Sequence, residues 1–114
     1  MKTLESLKNR KEEIIELTLD HMSVAFNGDP CNVAFYVEEN ENGEIEVNHY
    51  PFLGQQSHPD KVFWIVPDHQ RPDPEALGYN NLDEVDWNAC GFDSYIKHRI
   101  EDHIMELESR DIEF

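Results

Sequence analysis

Glu12, Glu16 and Asp20 recur at every fourth position, a spacing that stands all of them on one side of a helix. Neighbours in such a stripe lie about 6 Å apart along the axis, close enough for their fields to add. Glu38, Glu44 and Glu46 follow in a stretch with strand character, and Tyr36 precedes them. Between Lys11 and Lys61 the chain carries no Lys or Arg, while acids recur throughout. An array of this kind attracts basic protein surfaces, speeds their encounter and repels nucleic acid. The chemistry it predicts is recognition. Glu12, Glu16, Asp20, Glu38, Glu44 and Glu46, with Tyr36, form the expected partner-binding set, and the expected partner is a basic protein such as a nuclease or a DNA-binding protein.

Charge spacing limits one version of that idea. Duplex DNA carries one charge per about 1.7 Å of axis, against one per about 6 Å along the helical stripe. One helix is too sparse to imitate a phosphate backbone, so imitation would need the hairpin or the last helix to add charge to the same face. Antitoxin, immunity protein, anti-defence inhibitor and nucleic-acid mimic are the interaction roles that fit.

The alternative is a metal-dependent or hydrolytic enzyme. His58, Asp60, Asp68 and His69, with His49, are the candidate ligands around the apolar strand at 61–67, and His98 and Asp102 stand at i, i+4 on the last helix. An ion pair explains the helical couple equally well, and spacing fixes no third ligand. The sequence has no Gly-x-Ser-x-Gly elbow, no phosphate-binding glycine loop and no local Cys-His signature. His103, on the inner face of that helix with Ile96, Ile100 and Leu107, reads as a core histidine. No cofactor is expected.

Two short resemblances stand out. His58-Pro59-Asp60-Lys61 looks like the loop tripeptide and lysine of J-domain co-chaperones. A J-domain places helices on both sides of that loop, whereas here strand-like residues flank it, so the function does not carry over. Tyr79-Asn80-Asn81-Leu82-Asp83, with Trp87 and Cys90, loosely resembles the short helix segment of the barstar family of acidic ribonuclease inhibitors. Members of that family continue into a strand, while this chain continues into a helix. The likeness implies only that an acidic inhibitor is physically reasonable, and no site residue is assigned from it.

The elements that must position these residues follow from periodicity. Residues 4–26 project Leu4, Leu7, Ile14, Ile15, Thr18, Leu19, Met22, Ala25 and Phe26 onto one stripe interrupted only by Lys11, which predicts one long helix stopped at Asn27-Gly28. Leu17 and Val24 fall on the opposite face, where a second element or a homodimer contact would cover them. Cys31, Val33, Phe35 and Val37 alternate with Asn32, Ala34, Tyr36 and Glu38, and Ile45 and Val47 resume the pattern after Glu41-Asn42-Gly43. Parity selects a three-residue loop with Gly43 left-handed, because only that register sets Val37 against Val47 and Phe35 against His49. The same register opposes Glu38 to Glu46 and Tyr36 to Asn48, and opposed like charges call for a cation or a basic partner. Residues 61–67 form an apolar run that reads as a central strand buried on both faces. A surface loop at 68–79, a short helix at 82–90 and a last helix at 93–109 complete the pass.

Composition sets the frame. Among 114 residues, 25 Asp and Glu against 9 Lys and Arg leave a formal charge of -16, and an aromatic content of 11% argues for a packed chain over a disordered one. The expected fold is a single acidic α+β domain over 1–114: a long N-terminal helix, a small antiparallel sheet made of the hairpin plus a central strand, and two C-terminal helices packed on one face. Cys31 and Cys90 are too few for a disulfide framework, and no apolar stretch suits a signal peptide or a membrane span. The expected setting is cytoplasmic, with no direct nucleic-acid or membrane contact.

Overall fold

A straight helix through residues 4–26 would turn Lys11 inward between Leu7 and Ile14. A computed structural model, which describes residues 2–27, 31–52, 61–87 and 89–112, shows how the chain avoids this. Helix α1 (Lys2–Asn9) and helix α2 (Lys11–Ala25) meet at Arg10, whose backbone leaves helical geometry at φ -125 and ψ 29. The expected single helix is therefore kinked in two, although Arg10 N–H still donates to the Ser6 carbonyl at 2.9 Å and Ile14 N–H to the Arg10 carbonyl at 3.0 Å. The kink leaves Lys11 half-exposed, with its ammonium 3.7 Å from Glu101. Arg10 holds the bend from outside by donating to the Gly43 carbonyl at 2.6 Å and to both oxygens of Glu13 at 2.8 and 2.9 Å. Leu7, Ile14, Thr18 and Met22 still face the core, fully buried, and the Thr18 hydroxyl donates to the Ile14 carbonyl at 2.7 Å.

Strands β1 (Val33–Glu39) and β2 (Ile45–Pro51) form the antiparallel hairpin in the register that parity requires: Val37 opposite Val47, Phe35 opposite His49 and Glu38 opposite Glu46. Its tip turns through Gly43 at φ 80, a left-handed value that costs glycine little, and the Asn40 side chain accepts from the amides of Asn42 and Glu44, each at 2.9 Å.

Strand β3 (Val62–Val66) pairs antiparallel with β1, giving the order β2-β1-β3. The expectation of a central third strand is corrected: β1 is central, and β3 lies at an edge among the described residues. A bulge misled the pattern. Phe35 faces Trp64 and Tyr36 faces Val62, so Phe63 is the extra residue, and it joins Trp64 and Val66 in the core. The burial that the apolar run implies does hold, with Val62, Phe63, Trp64 and Val66 all buried, but the strand carries it at an edge position. Phe35 anchors the packing, stacked on Trp64 with centroids 4.9 Å apart and edge-on to Phe26 at 5.7 Å. Trp64 in turn meets Tyr95 at 5.6 Å.

The short helix expected at 82–90 is also corrected. Among the described residues of that segment the one helical element is a 3-10 turn at Leu82–Glu84, and the chain then extends through Val85. Val85 and Trp87, two positions apart, are both buried, which an extended segment permits and a helix does not. The Asn81 and Asp86 side chains accept from the amides of Glu84 and Ala89 at 3.1 and 3.2 Å, closing local turns that compete with a helix. Trp87 Nε1 donates to Ser23 Oγ at 3.1 Å, and that hydroxyl donates to the Leu82 carbonyl at 3.0 Å, so the segment is pinned to α2. After Gly91 at φ 80, helix α3 (Phe92–Ile112) buries Ile96, Ile100, His103 and Leu107. One helix and a turn stand where two C-terminal helices were expected.

Candidate acidic interface

Alternation along the hairpin sends Val33, Phe35, Val37, Val47 and His49 to the helix side and Tyr36, Glu38, Glu46, Asn48 and Tyr50 to the outer side. The opposed carboxylates of Glu38 and Glu46 therefore share one face. Lys61, the first base after the acidic stretch, partly answers the need for a cation: its ammonium lies 3.6 Å from Glu38. Glu46 is exposed, and among the described residues no base forms an ion pair with it. The Tyr36 phenol registers the local field. Burial first, then the charges of Glu38 and Glu46 together with Tyr50, whose ring is 5.7 Å away, push it above its ordinary range.

Helix α2 runs beside β2. Its start is tied to the hairpin tip by Arg10 and Gly43, and His21 Nε2 meets His49 Nδ1 at 2.7 Å farther along. Between them Leu17, Asp20 and His21 face residues 45–48 across an open hollow of about 390 Å³. No Lys or Arg lines it. Burial holds both imidazoles below their ordinary range, and for His21 the neighbouring His49 adds to that effect. At 2.7 Å the neutral pair shares one N–H, one ring donating and the other accepting.

The structure thus brings Asp20 and Glu46 to one groove and Tyr36, Glu38 and Glu46 to one sheet face. Glu44 stands exposed just after the hairpin tip, while Glu12 and Glu16 stand exposed on α2. Sequence reading missed His21. Its signal was a polar residue at the border of the apolar helical stripe, matched by His49 at an inward-facing strand position. Besides Lys61 at Glu38 and Arg10 at the hairpin tip, the bases engage groups outside the groove: Lys8 pairs with Glu108 at 3.3 Å, Lys11 with Glu101, Arg71 with Asp68 at 3.6 Å, and Arg99 donates to the Tyr95 hydroxyl at 2.6 Å.

Of the candidate metal ligands, His58 and Asp60 lie outside the described residues. Asp68 and His69 are exposed on a 3-10 turn (Asp68–Gln70) beyond β3. His98 lies 3.5 Å from Asp102 as an exposed i, i+4 couple. Among the described residues no three His, Cys, Asp or Glu side chains converge as a metal site would need. Cys31 and Cys90 are half-buried free thiols packed against the core. Leu17 packs partly against the core, and Val24 is exposed. No helix among the described residues is long and apolar enough to cross a membrane. Comparison with protein-family models, with curated proteins and with solved structures gives no match, so the functional reading rests on this geometry.

Proposed function

We propose that this chain is an acidic interaction protein that docks onto a basic surface of a partner protein and occupies it, in the manner of an antitoxin, immunity protein, anti-defence inhibitor or nucleic-acid mimic. The observation that carries this reading is the groove between α2 and β2, which Asp20 and Glu46 both line and no Lys or Arg lines. A base-free acidic wall beside a sheet face that already opposes Glu38 to Glu46 supports attraction of a cationic surface. Tyr36 adds an aromatic contact of the kind that interfaces favour. The two free thiols fit work in a reducing cytoplasm.

Affinity capture from a host lysate at low salt tests the proposal, with Glu46→Lys run in parallel. The wild-type chain is expected to retain a basic nuclease or DNA-binding protein that a high-salt wash releases, and the variant is expected to retain much less. A partner held equally in high salt, or equally by the variant, contradicts the proposal.

A further inference from the structure

Among the described residues, the hairpin leaves one row of backbone groups without a strand beside it. Val37 N–H donates to the Lys61 carbonyl at 3.1 Å, so the odd-numbered residues of β1 turn their peptide groups toward β3 and the even-numbered ones toward β2. The register pairs even with even, as the bonds from Asn40 N–H to the Glu44 carbonyl at 2.9 Å and from Phe52 N–H to the Asn32 carbonyl at 2.8 Å confirm. The N–H and C=O groups of Ile45, Val47 and His49 therefore point away from β1. Among the described residues no strand lies beyond them. Residues 45–49 offer an edge of about 14 Å. Pro51, next in the outward series and lacking an N–H, ends it.

We propose that this edge of β2 accepts an extended basic segment of a partner protein as an added strand. The charge around the edge names the occupant, and the proposal rests on the acidic-interaction reading above. On an added strand, alternate side chains would stand beside Glu44, Glu46 and Asn48 on the outer face, where Lys or Arg is favoured. The intervening side chains would turn toward Leu17 and His21 on α2, where small apolar residues fit, and Asp20 would flank them with a further carboxylate. A second copy of this chain is a poor occupant. Joining two such edges would bring Glu44 and Glu46 of both copies together, and a chain of formal charge -16 already repels itself.

The test uses the whole chain, isotope-labelled, and two probes: a short capped peptide of alternating lysine and valine, and the same peptide with every backbone nitrogen methylated. Charge and side chains are the same in both, and only the first can donate ladder hydrogen bonds. At low salt the unmethylated peptide is expected to bind about tenfold or more tightly than its analogue. It should also slow amide exchange at Ile45, Val47 and His49, leaving Glu46 and Asn48, already bonded to β1, unchanged. Equal binding of both peptides with unchanged exchange overturns the added strand while leaving a purely electrostatic docking face intact. Binding of neither peptide overturns it too, and the capture experiment then judges the broader reading separately. Slow exchange at these amides without peptide, growing with protein concentration, assigns the edge to a second copy and also overturns it.

Discussion

Replacing Glu46 by glutamine should make this protein more stable. Glu46 and Glu38 oppose each other on β2 and β1 with their peptide groups turned toward one another, a pairing that sets Cα atoms about 5.5 Å apart. Two carboxylates about 6 Å apart in a water-like dielectric repel by about 0.7 kcal/mol, and screening over about 8 Å at physiological salt roughly halves that. Lys61, 3.6 Å from Glu38, already offsets part of the cost. Glu46→Gln is therefore expected to gain at most about 0.7 kcal/mol at low salt and about 0.3 kcal/mol at physiological salt, or a Tm rise of up to about 3 °C for a chain of this size. Urea unfolding followed by fluorescence of the buried Trp64 and Trp87 measures it, in about 10 mM and about 1 M salt. Lys61→Gln, which removes the compensating cation, should shift stability the other way. No gain at low salt, or a gain undiminished at high salt, refutes the reasoning. A stabilising change that weakens partner capture would also mark Glu46 as a residue kept for binding at a cost in stability.

The remaining predictions concern the groove and the hairpin. His21 and His49 are held below the ordinary imidazole value of about 6.5 by burial, with His49 adding to the effect at His21. Their neutral pair should thus contribute its full stability above about pH 6.5 and lose it as pH falls through the lower folded values, with Asp20 and Glu46 lining the same groove. The stability difference between wild type and His21→Gln should shrink from pH 8 to pH 5 in urea titrations, and a flat difference contradicts the assignment. Gly43→Ala should cost about 1 kcal/mol, because at φ 80 alanine is strained although a Cβ would meet nothing nearer than Glu39 Oε1 at 3.8 Å. Thermal unfolding measures this, and a neutral result would show that the loop relaxes.

Several parts of this arrangement are legible in the sequence. The hairpin register follows from parity alone, since one slipped residue would divide Val37 from Val47 and split both apolar faces. The inner face of α3 was equally legible from the spacing of Ile96, Ile100, His103 and Leu107. Other features depend on contacts distant in sequence. The kink at Arg10 rests on its bond to Gly43, and helical projection runs the apolar stripe straight past it. The bulge that makes Phe63 extra exists only against β1, so β3 read as a central strand. Val85 and Trp87 both turn inward because α2 offers Ser23 to the indole, which a window over 82–90 cannot register. The groove itself is legible only in part. Its acids follow from composition, whereas bringing Asp20 and Glu46 to one groove and His21 into contact with His49 needs α2 laid beside β2.

The phenol of Tyr36 offers the most direct measurement of the acidic field on which the account depends. Ring resonances followed through alkaline titration should place it above the ordinary value of about 10, first from burial and then from Glu38, Tyr50 and Glu46. The electrostatic part should diminish in high salt and in the double variant Glu38→Gln, Glu46→Gln, drawing the midpoint downward while the burial part persists. A midpoint at the ordinary value, or one indifferent to salt and to both substitutions, would mean that these carboxylates do not act together around the hairpin.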